Sequence, residues 1–169
     1  MPHKINSTFH PDYKASQLDW KKFRLTHEGG RRFIEEYLVK YTTKEGTDEF
    51  NRRRDLSYSP SYSKATVTEV QNSLFQRFTD IDRIEGPDSY QTAVHGQGDG
   101  VDLQGNTMNG FIGREVLPEL LVMSKVGVYI DRADLNPQST VALTRNSAPY
   151  LYIYRIEDIR SWAIDSNGI

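Results

Sequence analysis

The side chains able to do chemistry in this 169-residue chain are few and scattered. Asp131, Asp134 and Glu157 stand near an expected strand end, where carboxylates can bind a hard cation or act as acid and base. Nothing in their spacing fixes them together, so turn-forming aspartates with a surface glutamate are the simpler reading. Gly96, Gly98 and Gly100, with Asp99 and Asp102, suggest a phosphate loop or a calcium loop. The phosphate loop requires Gly-Lys-Ser or Gly-Lys-Thr, which is absent. The dinucleotide fingerprint requires a third glycine where Val101 or Leu103 stands. A calcium hand requires a glutamate at its far end, and a single Gly-Asp stretch cannot build a calcium-binding repeat. A flexible connection is the expected use of this segment.

His3, His10, His27 and His95 have no histidine partner three or four residues away, so no helical metal pair exists. No Gly-x-Ser-x-Gly elbow occurs. There is no cysteine, which excludes disulfides, thiolate metal sites and cysteine nucleophiles. The expectation is a chain without catalytic residues, metal or cofactor, a structural piece rather than an enzyme. Arg52, Arg53 and Arg54 are the remaining candidates, as contacts to DNA phosphates or to a neighbouring subunit's acids. Three consecutive helical positions fan over most of the circumference, so they cannot all face one partner.

Composition narrows the field further. Lys and Arg total 21 against 23 Asp and Glu, a net charge of -2, which makes no electrostatic case for tight nucleic-acid binding. Hydrophobic residues make up 37% and mean hydropathy is -0.65, polar for a compact domain and suited to a chain with polar contacts in an assembly. Met1 to His10 carries no signal-peptide core, and no apolar run approaches the roughly 20 residues of a membrane span, so a soluble cytosolic protein without membrane contact is expected.

The elements that must position these residues read as α+β: a helical N-terminal half and a small mixed sheet in the C-terminal half. Ser16-Gln17-Leu18-Asp19 reads as a capping box opening a helix with Trp20, Phe23 and Leu25, stopped by Gly29-Gly30. Phe33, Ile34, Tyr37, Leu38 and Tyr41 mark one face of a second helix. Lys44-Glu45-Gly46 is a turn, Thr47 or Asp48 caps a third, polar helix through Arg54, and Pro60 ends or kinks it. Thr66-Val67-Thr68-Glu69 is a second capping box, with Val67, Val70, Leu74, Phe75 and Phe78 on one apolar face. Residues 86–110 form a long connection with a short strand at Tyr90 to Val94. Thr107 opens a helix through Phe111, Ile112, Val116, Leu117, Leu120 and Leu121, kinked or restarted at Pro118. Val126 to Ile130 is a buried strand ended by Asp131, and Asp134 to Pro149 is loop. Tyr150 to Tyr154 alternates as a strand, with one helical turn at Ile156 to Ile159 and another strand at Ser161 to Ile164. The expected division is a helical region 1–85, a Gly/Asp-rich connection 86–110, and a helix with a small sheet over 111–169. Asp165-Ser166-Asn167-Gly168 signals a hairpin turn with no returning strand, so the natural chain is expected to continue.

The ordered series of motifs resembles a known family. His10-Pro11-Asp12-Tyr13, followed by Trp20 and Arg24, is similar to the opening of one class of tailed-bacteriophage portal proteins. Gly105-Asn106-Thr107 with Phe111, then Val126-Gly127-Val128-Tyr129-Ile130-Asp131, resembles that class's middle segment. Pro149-Tyr150-Leu151-Tyr152-Ile153-Tyr154, with Glu157, Ile159 and Trp162, resembles the segment that follows, a recurrent one in the family. The chain departs from the pattern at Pro118, where an uninterrupted helix is expected, and at Lys125, where a glycine is. The resemblance implies the wing-bearing N-terminal part of a portal. Its stem, clip and crown would lie beyond Ile169. Portals form a ring, commonly of twelve subunits, at one capsid vertex. The implied function is DNA packaging and ejection through that channel, with docking of capsid protein, terminase and head–tail adaptor. Double-stranded DNA passes without sequence specificity, and the terminase, not the ring, hydrolyses ATP. The implied location is the virion, and the host cytoplasm during assembly. On this reading Arg52, Arg53 and Arg54 serve inter-subunit pairing ahead of DNA. Two other classes stay open: a virion adaptor or binding module without a channel, and an enzyme using Asp131, Asp134 and Glu157.

Overall fold

The computed structural model describes residues 9–76, 81, 83–132 and 149–162. It is α+β, as expected, with seven helices among the described residues and one two-stranded antiparallel sheet in the C-terminal part.

Helix α1 (Pro11–Glu28) starts five residues before the expected capping box. Pro11 occupies the first helical turn, where its missing N–H costs nothing, and the His10 ring accepts from the Asp12 N–H. With the first turn capped there, Ser16 to Asp19 is helix interior. Tyr13, Trp20 and Leu25 are buried, whereas Phe23 is exposed. Gly29 ends the helix at φ 64°, its N–H bonding Leu25 C=O at 2.8 Å. The two glycines also dock a distant segment. The Gly30 N–H donates to Ser59 C=O at 2.8 Å, and the Ser61 hydroxyl donates to Glu28 C=O. A Cβ on Gly29 would lie 2.7 Å from the Ser61 hydroxyl.

Helix α2 (Gly30–Tyr37) buries Ile34 and stops short of Tyr41, which is exposed. Helix α3 (Thr47–Leu56) takes Gly46 as its N-cap in place of Thr47 or Asp48, and buries nothing. Ion pairs fasten it: Arg31 to Asp55 at 2.6 Å and Arg53 to Glu45 at 2.9 Å. Pro60 lies in the link to α4 (Tyr62–Phe75), which begins four residues before the second expected capping box. Inside α4 the Thr66 hydroxyl bonds back to Tyr62 C=O at 3.0 Å, so it caps nothing. The apolar stripe of α4 is only partly covered. Val67 and Phe75 are half-buried, while Val70 and Leu74 remain exposed.

The expected strand at Tyr90 to Val94 is instead helix α5 (Asp88–Val94). Pro87 sets the entry angle, Asp88 lies in the first turn, and Ala93 and Val94 are buried together. Tertiary burial of that adjacent pair overrides the strand preference of the sequence. After a compact loop, Thr107 caps α6 (Met108–Phe111), accepting from the Gly110 N–H at 3.0 Å. A π-helical turn (Ile112–Val116) follows, then α7 (Leu117–Met123). The Leu117 N–H reaches back to Ile112 C=O, a five-residue step. This widened turn, with Pro118 in the first turn of α7, is the restart expected at that proline. Gly113 lets the Phe75 ring of α4 approach, since a Cβ there would meet it at 2.7 Å.

Helices α1, α4 and α7 pack on one another, and α7 leads into the hairpin. Strand β1 (Val126–Asp131) pairs with β2 (Tyr150–Arg155), with Val126 opposite Arg155 and Asp131 opposite Tyr150. Contrary to expectation β1 is not buried: Val128, Tyr129 and Ile130 are exposed, because the second cluster packs against β2 and Ile159 covers β1 only at Gly127. A 3-10 turn (Ile156–Asp158) follows as expected. Ser161 and Trp162 are not in a strand, and the rest of that expected strand lies outside the described residues. So do His3, Phe78, Asp134 and the loop after it to residue 148, and Asp165 to Gly168.

Two apolar clusters form the core. The first joins Tyr13, Trp20, Met123 and Ile156, with Phe9, Val122, Ile159 and Trp162 packed around it. The second joins Ala93, Val94, Val101 and Phe111, with Leu151 and Ile153 of β2 against it.

Candidate functional site

Beside the first cluster lies a half-buried ion-pair centre. Arg24 projects from α1 between Glu119 of α7 and Glu157 of the 3-10 turn. Its guanidinium meets Glu119 through two nitrogens at 2.9 and 2.6 Å, and Glu157 through two at 2.8 and 3.1 Å. Such forked, charge-assisted bonds are the geometry in which arginine outperforms lysine. The bonds to Glu119, and then to Glu157, more than offset burial and raise Arg24 above the usual arginine range. Burial works to raise Glu157, but the Arg24 bonds outweigh it and hold this carboxyl below its ordinary range. Arg155 adds a second cation, 3.7 Å from Glu119.

Around this centre the start of α1 is tied to the segment that follows β2. The Tyr13 hydroxyl donates to Glu157 C=O at 2.7 Å, and the His10 N–H donates to Arg160 C=O at 2.9 Å. The His10 ring stacks on Trp162 with centroids 4.1 Å apart. His27 lies nearby with its Nδ1 buried and without a partner among the described residues. Burial, then the charges of Arg24 and Lys64, lower its pKa, so it stands neutral at pH 7.

Asp131 and Glu157, two of the candidate carboxylates, are not brought together, in line with the simpler reading of turn-forming aspartate and surface glutamate. Asp131 is the last residue of β1, paired with Tyr150, whereas Glu157 lies past the other end of the hairpin, and Asp134 lies outside the described residues. Asp131 accepts from the Arg132 N–H at 2.7 Å and from the Tyr150 hydroxyl at 3.3 Å. No group of three or more acidic or histidine side chains able to hold a metal occurs among the described residues.

The glycine-rich segment is an ordered turn rather than a loose connection. Buried Asp102 accepts from the Gln104 N–H at 3.0 Å, the Asn106 N–H at 3.3 Å and the Asn106 side-chain amide at 2.7 Å. Gly96, Gly98, Gly100 and Gly105 all have positive φ, which lets the chain wrap around that carboxylate. Asp102's acceptors are thus spent on the loop itself.

Arg52, Arg53 and Arg54 do not act as a group. Arg53 grips Glu45 with two bonds of 2.9 Å and donates to Val39 C=O at 2.8 Å. Arg54 is half-buried over Phe50, and Arg52 is exposed. A polar groove between α4 on one side and α6 with the π-helical turn on the other is lined by Glu69, Asn72, Phe75, Asn109, Gly113 and Arg114.

Sequence reasoning missed the Arg24 centre as a unit. Its partners lie 95 and 133 residues away, so no local spacing could announce it. Glu157, a candidate metal or acid–base carboxylate by its residue type, is instead paired with Arg24. Neither a scan against protein-family models nor a search of curated proteins matches this chain.

Proposed function

We propose that the chain is the wing-bearing N-terminal part of a phage portal subunit, a structural element of the ring through which DNA enters and leaves the capsid. One observation carries the reading. The residues that resemble portal motifs, spread from His10 to Trp162, are the ones that meet in space. His10 stacks on Trp162, Tyr13 bonds Glu157, and Arg24 clasps the same Glu157. The two strand motifs pair with each other, and Phe111 anchors the second cluster under β2. Shared contacts of this kind support reading the motifs as parts of one folded unit.

The surface favours assembly. Large apolar side chains stand exposed along the link and helices: Tyr41, Leu56, Tyr58, Tyr62 and Leu74. Tyrosine, with an apolar body and a polar tip, suits faces that pack on another subunit. In this reading the chain acts by shape. Heterologous contacts between copies close a ring that passes DNA without reading it and docks capsid protein, terminase and adaptor in the virion. Arg52 and the flanks of α3 are offered to a neighbouring copy rather than to DNA. Electron microscopy of the complete gene product tests the proposal. Rings with a central channel are expected, and particles without a pore would overturn it.

A further inference from the structure

The outer edge of β1 has the pattern of a strand that pairs with itself. In an antiparallel ladder, residue pairs that exchange backbone bonds alternate with pairs whose N–H and C=O point away. Leu151 of β2 donates its N–H outward, to Val101 C=O at 2.6 Å. Its partner Ile130 therefore belongs to an outward-pointing pair, and so do Val128, opposite Ile153, and Val126, opposite Arg155. Three alternate residues thus present backbone donors and acceptors along the far edge of β1. No described residue bonds them. The β2 edge is partly occupied by Val101, whereas the β1 edge is bare among the described residues. Its side chains are open too: Val128 is 48%, Tyr129 49% and Ile130 67% exposed. An apolar edge of this kind is a template for another strand.

The sequence along the edge identifies the occupant. It reads Lys125-Val126-Gly127-Val128-Tyr129-Ile130-Asp131. An antiparallel copy centred on Val128 sets Val126 against Ile130, so every outward donor meets an outward acceptor. The same register sets Tyr129 against Gly127, whose small size already accommodates the Ile159 side chain of the same chain. It also sets Lys125 against Asp131 at both ends. Sliding the copy by one step of the ladder keeps the backbone match but puts Lys125 against Tyr129, or Asp131 against Gly127. Charge complementarity therefore selects the symmetric register.

We propose that the chain dimerises through antiparallel pairing of β1 with β1 of a second copy, making a continuous four-stranded sheet. The contact is isologous and closes at two copies, whereas a ring closes through heterologous contacts, so this inference does not rest on the portal reading.

Analytical ultracentrifugation of the 169-residue chain over a wide concentration range tests it. A reversible dimer is expected. Val128→Pro removes an outward N–H while sparing the bonds within the hairpin, a position where an edge strand tolerates proline. It should weaken the dimer on the order of tenfold or more. Lys125→Asp leaves two acidic ends and Asp131→Lys two basic ends, so each variant alone should be monomeric at concentrations where the native chain is dimeric. Their equimolar mixture should dimerise, because each acidic end then meets a basic one. Circular dichroism checks that Val128→Pro is folded; if it is not, the mixing experiment decides. A native chain that stays monomeric shows that Lys125 and Asp131 only guard a bare edge, and overturns the proposal. So does a dimer that survives folded Val128→Pro, or a mixture that stays monomeric.

Discussion

Replacing Arg24 with methionine keeps much of the side chain's apolar length and removes the charge that joins α1, α7 and the 3-10 turn. Exposed ion pairs contribute about 0–1 kcal/mol, whereas breaking a buried pair costs about 3–5 kcal/mol. The side chains of Arg24, Glu119 and Glu157 are 15%, 12% and 29% exposed, nearer the buried limit but with water reaching Glu157. The expected loss is therefore about 2–3 kcal/mol, most of it from two carboxylates left facing each other. For a chain of this length each kcal/mol moves Tm by about 2–4 °C, so the melting point should fall by about 4–12 °C. Arg24→Lys should recover little of this, since an ammonium cannot fork to two carboxylates.

The loss also has a pH signature. Arg24 holds the folded-state pKa of Glu157 below its ordinary 4.5. A depressed carboxylate contributes stability that is complete above the ordinary value and is lost as pH falls through the folded value. The gap between native protein and variant should thus be full at pH 7 and shrink as the solution is acidified below 4.5. Thermal melts followed by near-ultraviolet circular dichroism across that range measure it. A Tm change under about 2 °C at pH 7, or a gap that does not narrow in acid, would refute the reasoning.

Three further outcomes follow from backbone and hydrogen-bond geometry. Gly98→Ala and Gly100→Ala impose alanine on similar positive φ values, but only at Gly100 would the new Cβ lie 2.6 Å from the Asn106 backbone. Chemical denaturation should show a cost of about 1 kcal/mol at Gly98 and at least about twice that at Gly100. Ser124 ends α7 in the left-handed conformation at φ 62°, so Ser124→Gly should stabilise the protein by about 0.5–1 kcal/mol in the same assay. Tyr13→Phe removes the hydroxyl that donates to Glu157 C=O; equilibrium unfolding should register a loss of about 1–2 kcal/mol.

Where the sequence carried local information, it was sufficient for the fold class and for several elements. Gly29 as a helix stop, Thr107 as an N-cap, the restart at Pro118 and the aromatic strand at Tyr150 each rest on residues within a few positions of one another. Helix starts were less legible, because Ser16 and Thr66 have the chemistry of caps in positions already claimed by helices that began earlier. Tertiary contacts decided the rest. Burial of Ala93 and Val94 together turned an expected strand into a helix, and partial cover left β1 an exposed edge. The Arg24 centre and the ring turned around Asp102 lie at the two extremes. Asp102 binds groups two and four residues ahead, yet its burial depends on the second cluster. Arg24 binds carboxylates that only long-range folding brings near. Sequence fixes propensities over one or two turns of chain; a charge's partners, and therefore its role, are set by which distant surfaces exclude water around it.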